Sequence, residues 1–422
     1  MASPEIVIVG AGPYGLSIAA HLTAHGIPHR IFGQPMQSWR EHMPTDMMLK
    51  SDGFASSLFS PGPASTLRDF CAQQCIPYHD TRIPVSLQTF VHYGLDFQQR
   101  FVPHLETEQV TAIDRIGSQF SLRLDNGEQL TATKVILAVG ISHFAYFPPE
   151  IATLPPELLS HSYAHREPAN FSGRHVTILG GGASAANLAA MLREAGAHVC
   201  ILARRRTMEF HDAPGPRTLW QRLRSPSSSL GPGIKSFIFS KFPQIFRLLP
   251  EEARLQIVQN HLGPAAGWTV RDRVEGKVPF HGGISNLQAQ ERDGYVRLTY
   301  MQDGAHQELY TSHLIAATGY RVSLHRLPFL NQTLRNTVRT TGGSPLLSSR
   351  FESSVRGLYF TGLAAANSFG PLMRFACGAE YTASTLSKHL RKLCHATGGE
   401  RLPHFSPAAQ PCRIGQSLPD KG

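Results

Sequence analysis

The 422-residue sequence lacks the cysteine arrangements that dithiol chemistry requires. Its six cysteines stand at positions 71, 75, 200, 377, 394 and 412, and none forms a C-x-x-C or C-x-x-x-x-C pair. A reductase that passes electrons through a cysteine pair is therefore disfavoured. Cys71 falls on a predicted helix at 67–74 and Cys75 directly follows it, and we interpret them as two unpaired thiols rather than a redox pair. Scattered thiols are typical of a reducing cytoplasm.

Long apolar runs and long charged runs are also missing. No apolar stretch reaches the roughly 18 residues that span a bilayer. The N-terminus enters a strand at once, without the features of a secretion signal. The net charge is +10, but no run of five like charges occurs. We therefore expect a cytoplasmic protein with no membrane or nucleic-acid partner. His79, His92 and His211 lack ligand spacing, so we predict no metal. A homo-oligomer remains open.

A degenerate internal repeat organises what is present. Each copy has a strand, a glycine-rich turn, a helix and a second strand. The first copy is predicted at 6–9, 10–15, 16–24 and 30–32, and the second at 175–179, 180–185, 187–195 and 198–203. Both opening strands are continuous apolar runs, which is typical of buried parallel strands. The repeat predicts two Rossmann-like units.

The first turn reads Gly10-Ala-Gly12-Pro13-Tyr14-Gly15. In such a turn the first glycine makes the bend, the second admits a pyrophosphate and the third lets the helix pack on the strand. The pyrophosphate then lies at the positive end of the helix. Placement directly after a strand makes this a predicted FAD site.

The acidic residue that usually binds the adenine ribose is absent from this first copy. Gly33 and Gln34 stand where it should end the second strand. Ribose recognition is therefore assigned to Gln34 or to backbone groups.

The second turn reads Gly180-Gly-Gly182-Ala-Ser184-Ala185, with alanine in place of the third glycine. This turn is predicted to bind a nicotinamide cofactor.

The strand after the second turn ends in a basic cluster instead of an acid, namely Arg204, Arg205 and Arg206. Arginines at this position pair with a 2′-phosphate through charge-assisted bonds. The cluster favours NADPH, with NADH still possible, and a solvated basic strand end is the alternative.

Each copy also ends in a strand that leads to a glycine. Strand 134–139 leads to Gly140, strand 313–317 leads to Thr318 and Gly319, and a last strand at 357–361 leads to Gly362. Hairpins with turns at 125–127 and 303–304 precede the first two of these strands, so each copy should carry a small antiparallel flap.

These elements predict an α/β fold of two Rossmann-like, three-layer dinucleotide-binding domains. The FAD domain is split between 1–165 and 320–395, and the NAD(P)H domain at 166–319 is inserted into it. A helical insert is predicted at about 207–290, a final helix at about 372–393, and a flexible tail at 396–422.

The motifs resemble those of the two-dinucleotide-domain flavin monooxygenases, including flavin-containing monooxygenases and lysine or ornithine N-hydroxylases. Beyond the first turn, the resemblance rests on Ser38-Trp39, His161-Ser162 and 317–320. It covers roughly residues 1–395. The full Baeyer–Villiger fingerprint is missing. The strings at 48–57, 90–94, 160–162 and 356–364 resemble a bacterial group of FAD-dependent oxidoreductases described as urate hydroxylases.

This resemblance implies a reaction that uses NAD(P)H, O₂ and a small polar substrate. NAD(P)H would reduce FAD, and a flavin C4a-hydroperoxide would transfer one oxygen atom, with urate and 5-hydroxyisourate as the first substrate and product to consider. N-hydroxylation of an amine or amino acid, and reductase or oxidase activity without oxygenation, stay open.

The resemblance also suggests which residues lie near the flavin. Lys50 is expected to contact the flavin or an anionic substrate, and His161 to stabilise the cofactor or the peroxide. Asn367 is expected to reach flavin or substrate. The segment with Gly370 and Leu372 should place a helix N-terminus at the pyrimidine edge of the flavin, where its dipole would stabilise a reduced anionic ring.

Overall fold

The computed structural model describes residues 5–213, 215, 217–263 and 265–396. The strands in chain order are β1 (Ile6–Val9), β2 (Arg30–Phe32), β3 (Val110–Ile116), β4 (Gln119–Leu124), β5 (Gln129–Ala132), β6 (Lys134–Leu137), β7 (Leu159–His161), β8 (His175–Leu179), β9 (His198–Ala203), β10 (Phe280–Gly282), β11 (Ser285–Arg292), β12 (Tyr295–Gln302), β13 (Ala305–Thr311), β14 (His313–Ala316), β15 (Thr340–Thr341), β16 (Ser344–Pro345) and β17 (Leu358–Phe360).

The helices in chain order are α1 (Pro13–Ala24), α2 (Gln37–Glu41), α3 (Leu67–Gln73), α4 (Leu87–Phe101), α5 (Ala183–Glu194), α6 (Leu219–Arg224), α7 (Ile234–Lys241), α8 (Pro243–Phe246), α9 (Glu251–Asn260), α10 (Arg271–Val274), α11 (Gln332–Thr337), α12 (Ala366–Phe369) and α13 (Gly378–Ala396). The predicted flexible tail lies outside the described residues except for Ala396. No helix within the described ranges is both long and apolar enough to cross a bilayer.

The first parallel sheet has the order β17-β6-β1-β2. Every residue of β1 and β17 is buried, as the apolar runs predict for strands covered on both faces. Helix α1 packs against α13, so residues from both ends of the chain share one core. Strand β17, which follows Gly319 in the chain, thus completes the sheet that β1 begins.

The second parallel sheet has the order β10-β9-β8-β14-β7 and forms the middle of three layers. Alternate residues of its strands face opposite layers, as the pleat requires. Ile178 packs with the residues of α5, whereas the next residue, Leu179, packs with Val296 of the antiparallel β11-β12-β13 flap. The predicted α/β fold class with Rossmann-like sheets is confirmed.

Both predicted flap turns are present. The turn at 125–127 joins β4 to β5, which pair antiparallel. At the other turn, Asp303 and Gly304 have φ values of +48° and +82° and join β12 to β13. Two successive positive φ angles are the signature of the tight hairpin turn that Asp-Gly sequences favour.

The helical insert is shorter than the sequence suggested. Its helices α6 to α10 end at Val274. The rest of the predicted range forms β10, which extends the second parallel sheet beside β9, and most of β11, which opens the flap.

The final helix also begins later than predicted. Residues 371–374 form a separate turn of 3-10 helix, and α13 starts only at Gly378. The chain leaves helical geometry at Phe375, where φ is −123° and ψ is 156°. A contact with the first glycine-rich turn, described below, holds this break.

Candidate active site

The first glycine-rich turn is built by contacts that only glycine permits. Gly10 has a φ of +108°, and a Cβ atom there would lie 2.4 Å from the Ala138 carbonyl oxygen. A Cβ atom at Gly15 would lie 1.8 Å from the Gly10 carbonyl oxygen. At Gly12, by contrast, an added Cβ would meet no atom within 4 Å. The turn is therefore closed on the protein side and open where a phosphate would approach.

The helix behind this turn offers free donors. Gly12 is the N-cap of α1 and provides no side-chain cap, and Pro13 occupies the first helical position. The first backbone N–H groups of a helix have no partner within the helix. They point into the open space at Gly12, so the turn fits a dinucleotide pyrophosphate.

Tyr14 has a second role that the motif did not reveal. Its hydroxyl lies 2.8 Å from the Phe375 carbonyl oxygen and 3.1 Å from that of Met373, to which it donates. A Cβ at Gly378 would lie 2.2 Å from this hydroxyl oxygen. Burial, with a contribution from Cys377, raises the pKa of Tyr14 well above its usual value, so the hydroxyl remains a donor. The first turn therefore holds the break before α13.

The ribose end of the first turn has no free acid. The Gln34 side-chain amide donates to the Thr107 carbonyl oxygen at 3.1 Å. Glu106 lies beside the end of β2, but its carboxylate is bound by Arg30. The backbone N–H of Gly33, whose φ is +126°, is engaged as well, because it donates to the Glu106 carbonyl oxygen at 2.9 Å.

Three other residues were predicted to contact the cofactor at the first unit, namely Trp39, Gly140 and Gly362. Trp39 packs edge-on against Phe90, with ring centroids 4.7 Å apart. Gly140 has a φ of +64° and follows β6, and a Cβ there would lie 3.9 Å from the Ser38 hydroxyl. A Cβ at Gly362 would contact the Tyr14 ring at 3.6 Å. The carboxyl ends of β1, β6 and β17 thus converge around one opening.

The second turn repeats the geometry of the first. Gly180 has a φ of +137°, and a Cβ there would lie 2.3 Å from the Ala317 carbonyl oxygen. Gly182 is an N-cap without a side-chain cap, and Ser184 is exposed in the first turn of α5. Ala185 is fully buried, so its methyl group is accommodated where the first turn needs a glycine.

The basic cluster lies at the exposed end of β9. Arg205 forms an ion pair with Glu209 at 2.8 Å, and Arg206 lies 3.9 Å from Asp303. Arg204 is exposed. The cluster thus lies at the end of the second strand of this unit, and two of its members already face carboxylates.

The closing strand of the second unit is tied to the linker between the units. The Thr318 hydroxyl donates to the Tyr146 carbonyl oxygen, and Gly319 has a φ of +78°. The backbone N–H of Tyr146 donates in turn to the Gly319 carbonyl oxygen at 3.0 Å.

His161 lies at this linker, and both of its ring nitrogens are engaged. Nδ1 accepts from the Tyr163 backbone N–H at 3.2 Å, so Nε2 carries the proton and donates to the Gly319 carbonyl oxygen at 3.1 Å. Burial lowers the pKa of His161, which keeps the ring neutral. This arrangement leaves no ring nitrogen for a cofactor or peroxide and favours a positioning role, contrary to the expectation from sequence.

Asn367 is buried on α12, and its side-chain amide is also engaged. Nδ2 donates to the Thr341 carbonyl oxygen and the Ser344 hydroxyl, both at 3.1 Å. After it, Gly370 has a φ of +89° and packs against the Phe246 ring, while Leu372 is buried in the core. The 3-10 turn at 371–374 is too short to supply the helix dipole that the sequence suggested.

Lys50 lies where the first unit meets the helical insert. Its ammonium group donates to the Ala265 carbonyl oxygen at 2.6 Å. The side chain reaches solvent, but the surrounding protein desolvates it and Arg374 lies nearby, so its pKa falls to about 8. Burial and the Lys50 charge likewise lower the pKa of His211. Lys50 and Arg374 thus form a cationic cluster at this seam, and the His211 ring beside Lys50 is held neutral.

Arginine–carbonyl hydrogen bonds hold the insert over the segment 341–374. The bonds join Arg254 to the Asn367 oxygen at 3.1 Å, Arg247 to the Leu347 oxygen at 2.6 Å, and Arg374 to the Val258 and His261 oxygens at 3.1 Å each. In addition, Nε of Arg254 is buried and has no hydrogen-bond partner among the described residues. Such an unpaired donor is costly unless a ligand satisfies it.

The sequence did not reveal the two insert arginines of this seam. Arg247 and Arg254 stand within the predicted helical insert, next to apolar residues, and a charge among apolar residues of a helix is itself a signal of a buried polar contact. Within the described part of the chain, no group of three or more histidine, cysteine or acidic side chains could hold a metal ion.

Two glycine-rich turns at the carboxyl ends of two parallel sheets define an oxidoreductase with two dinucleotide sites. The chain belongs to the pyridine nucleotide-disulphide oxidoreductase family, whose model matches residues 7–219. A ferredoxin–NADP reductase of Cupriavidus pinatubonensis is 26% identical over 216 residues, which cover 48% of this chain and 51% of the reductase. The chain thus spans about half the length of the curated relatives it matches.

Solved structures share the fold over nearly the whole chain. Reduced ornithine hydroxylase of Pseudomonas aeruginosa has a TM-score of 0.73 at 16% identity, covering 93% of this chain and 99% of that one. A flavin-containing monooxygenase of Stenotrophomonas maltophilia has a TM-score of 0.63 at 18% identity, covering 93% and 100%. Bacillithiol disulfide reductase of Staphylococcus aureus has a TM-score of 0.61 at 17% identity, covering 93% and 99%.

Alanine substitutions at Gly12 and Gly15 of the first turn should have different effects. Gly15→Ala places a methyl group on the Gly10 carbonyl, so we expect the apoprotein to lose about 2 kcal/mol or more of stability. Gly12→Ala meets open space and should leave the apoprotein melting temperature unchanged while weakening dinucleotide binding. Thermal unfolding of stripped protein and flavin titration would measure the two effects. Equal melting temperatures for both variants would contradict the assignment.

Proposed function

We propose that the first turn binds FAD and the second binds NADPH, and that the protein is a flavin-dependent monooxygenase. The open face of Gly12 at the N-terminus of α1 supports the FAD site. The exposed Arg204 at the end of β9 supports a cofactor with a 2′-phosphate. When bound, FAD supplies hydride acceptance from NADPH and activation of O₂.

The overall reaction consumes one NADPH, one O₂ and one proton for each substrate hydroxylated. One oxygen atom enters the product, the other leaves as water, and NADP⁺ is released. The observation that carries this proposal is the cationic cluster of Lys50 and Arg374 at the seam of a fold with two dinucleotide turns, where the described residues hold no cysteine pair spaced to relay electrons.

The thiol chemistry argues against disulfide reduction. Cys377 is the cysteine beside Tyr14, and burial raises its pKa to about 11. Burial also raises the pKa values of Cys71, Cys200 and Cys394. Because the thiolate is the reactive form, these cysteines are poor redox groups.

The charge of the seam favours a small anion as substrate. Lys50 and Arg374 present cationic side chains at the seam, and Arg254 adds a buried donor without a partner. Urate, which is a monoanion at neutral pH, fits this chemistry, and 5-hydroxyisourate would be its product. Lys50 and Arg374 would hold the anion through charge-assisted bonds.

N-hydroxylation of an amino acid is a second candidate, because the same cationic cluster fits an α-carboxylate. In that case Lys50 and Arg374 would hold the carboxylate and leave the amine free to react. Urate and the amino acid share the anionic group, so a panel containing both distinguishes them by which one couples NADPH oxidation to product.

Labelled oxygen tests the proposal directly. With ¹⁸O₂ and NADPH we expect one labelled atom in the product and one product formed for each NADPH consumed. Mass spectrometry of the product and NADPH absorbance provide the two measurements. Hydrogen peroxide formed in proportion to NADPH across the whole substrate panel, with no labelled product, would instead identify an oxidase.

The Lys50 pKa predicts how activity depends on pH. Above a pKa of about 8 Lys50 loses its charge, so kcat/KM for an anionic substrate should fall as pH rises through this value. Lys50→Arg should keep activity at higher pH, whereas Lys50→Met should lower kcat/KM roughly 10- to 100-fold at neutral pH. Steady-state kinetics across this range provide the measurement. A wild-type profile that stays flat above pH 8 would rule out this role.

Arg204 should set the cofactor preference. Arg204→Ala removes a charge-assisted contact to the 2′-phosphate, so KM for NADPH should rise roughly 10-fold or more while KM for NADH stays unchanged. Arg123→Ala, at an exposed arginine of the first flap, is the matched control. If both cofactors were affected equally, Arg204 would not read the phosphate.

A further inference from the structure

Helices α7 and α8 present an apolar stripe to solvent. Its members are Ile234, Ile238, Phe242, Ile245 and Leu248, whose exposed fractions are 58%, 36%, 52%, 49% and 83%. Ile234 and Ile238 lie one turn apart on α7, Phe242 stands at the bend between the two helices, and Ile245 and Leu248 lie on α8 and just beyond it. We call these five residues the insert stripe.

The opposite face of the same segment is the one that packs on the protein. Ser236 and Phe246 are buried, and the Phe246 ring contacts Gly370 and lies 5.5 Å from the Phe239 ring. Arg247, directly after α8, donates to the Leu347 carbonyl oxygen. The segment is therefore fixed with its apolar stripe pointing outward.

Exposed apolar side chains are concentrated in this insert. Of the fourteen large hydrophobic side chains that are exposed among the described residues, eight fall between positions 220 and 268. Trp220 and Leu223 on α6 are exposed by 75% and 73%. The exposed hydrophobic side chains outside positions 220–268 are scattered along the chain, as single exposed hydrophobics usually are. A grouped set marks an interaction surface.

The charge of this segment indicates the partner. Residues 217–250 contain six lysines and arginines and no aspartate or glutamate. Lys235 and Lys241 are exposed on α7 itself, and Arg224 is exposed at the end of α6. An apolar face with basic residues and no acid is the composition of a helix that lies in the interface of an anionic bilayer.

We propose that the insert stripe docks this protein on an anionic phospholipid surface. The apolar side chains enter the boundary between headgroups and acyl chains, and the basic side chains pair with the headgroup phosphates. Such peripheral binding needs no spanning helix and replaces the expectation from sequence of no membrane partner. Because the insert covers the seam with Lys50 and Arg374, docking brings the candidate site close to the lipid surface.

Vesicle flotation with the FAD-loaded full-length protein tests this. We expect binding to vesicles of equal parts phosphatidylglycerol and phosphatidylcholine at low salt, loss of binding at high salt, and little binding to phosphatidylcholine alone. Emission from Trp220 should shift to shorter wavelength as the insert enters the interface.

Variants separate the apolar and electrostatic contributions. Ile234→Ser with Ile245→Ser and Leu248→Ser should abolish flotation, while Ile116→Ser, at a 63% exposed residue of the first flap, should not. Arg224→Gln with Lys241→Gln should weaken binding roughly 30-fold, because each basic residue near an anionic surface contributes about 1 kcal/mol. Unchanged NADPH oxidation without vesicles would show that these variants are folded.

Three outcomes would overturn the proposal. The first is no flotation on the anionic vesicles, and the second is flotation that the triple serine variant leaves unchanged. The third is a wild-type dimer in analytical ultracentrifugation that becomes a monomer in the triple variant, without lipid binding by either protein. That result would assign the insert stripe to a second copy of the chain.

Discussion

One backbone contact, made twice, determines the rest of the structure. In each unit the first glycine of the turn approaches the carbonyl oxygen at the end of the closing strand so closely that a Cβ would lie 2.4 Å away at Gly10 and 2.3 Å at Gly180. Both glycines have left-handed φ angles. These contacts bring the helix N-terminus to the carboxyl edge of the sheet, where dinucleotides bind in this class of fold. The internal repeat seen in sequence is therefore a repeated steric requirement.

Long-range polar contacts then convert the two units into one site. The Tyr14 hydroxyl joins the first turn to the break before α13, more than 350 residues away along the chain. His161 joins the linker to Gly319 through a nitrogen whose protonation is decided by the bond on the other side of the ring. Both side chains stand in motifs that suggest cofactor contact, but their polar atoms bond to backbone groups of the protein. Their effect on chemistry is to position the segments that surround the cofactors.

Elements that are determined by neighbouring residues in the sequence could be predicted, and elements that depend on distant residues could not. Strands β1, β2, β8 and β9 begin and end where the sequence predicts, because continuous apolar runs bounded by glycine leave little choice. The sequence did not predict where the insert ends or where α13 starts, because both depend on distant partners. Strand β10 pairs with β9, and the Tyr14 hydroxyl holds Phe375. The seam of Lys50, Arg254 and Arg374 could not be predicted, since three segments far apart in sequence supply it.

The insert reverses the usual arrangement of apolar and charged side chains on a helix. A helix that packs on a core usually buries its apolar residues and exposes its charges. Here arginines such as Arg247 and Arg254 face inward and bond to carbonyls, while Ile234, Phe242 and Leu248 face outward. Arginine can satisfy several carbonyls at a polar seam, so the inward contacts need little apolar surface. An outward apolar face lowers the stability of the protein in water. This arrangement is explained if the apolar face contacts a lipid surface instead of water.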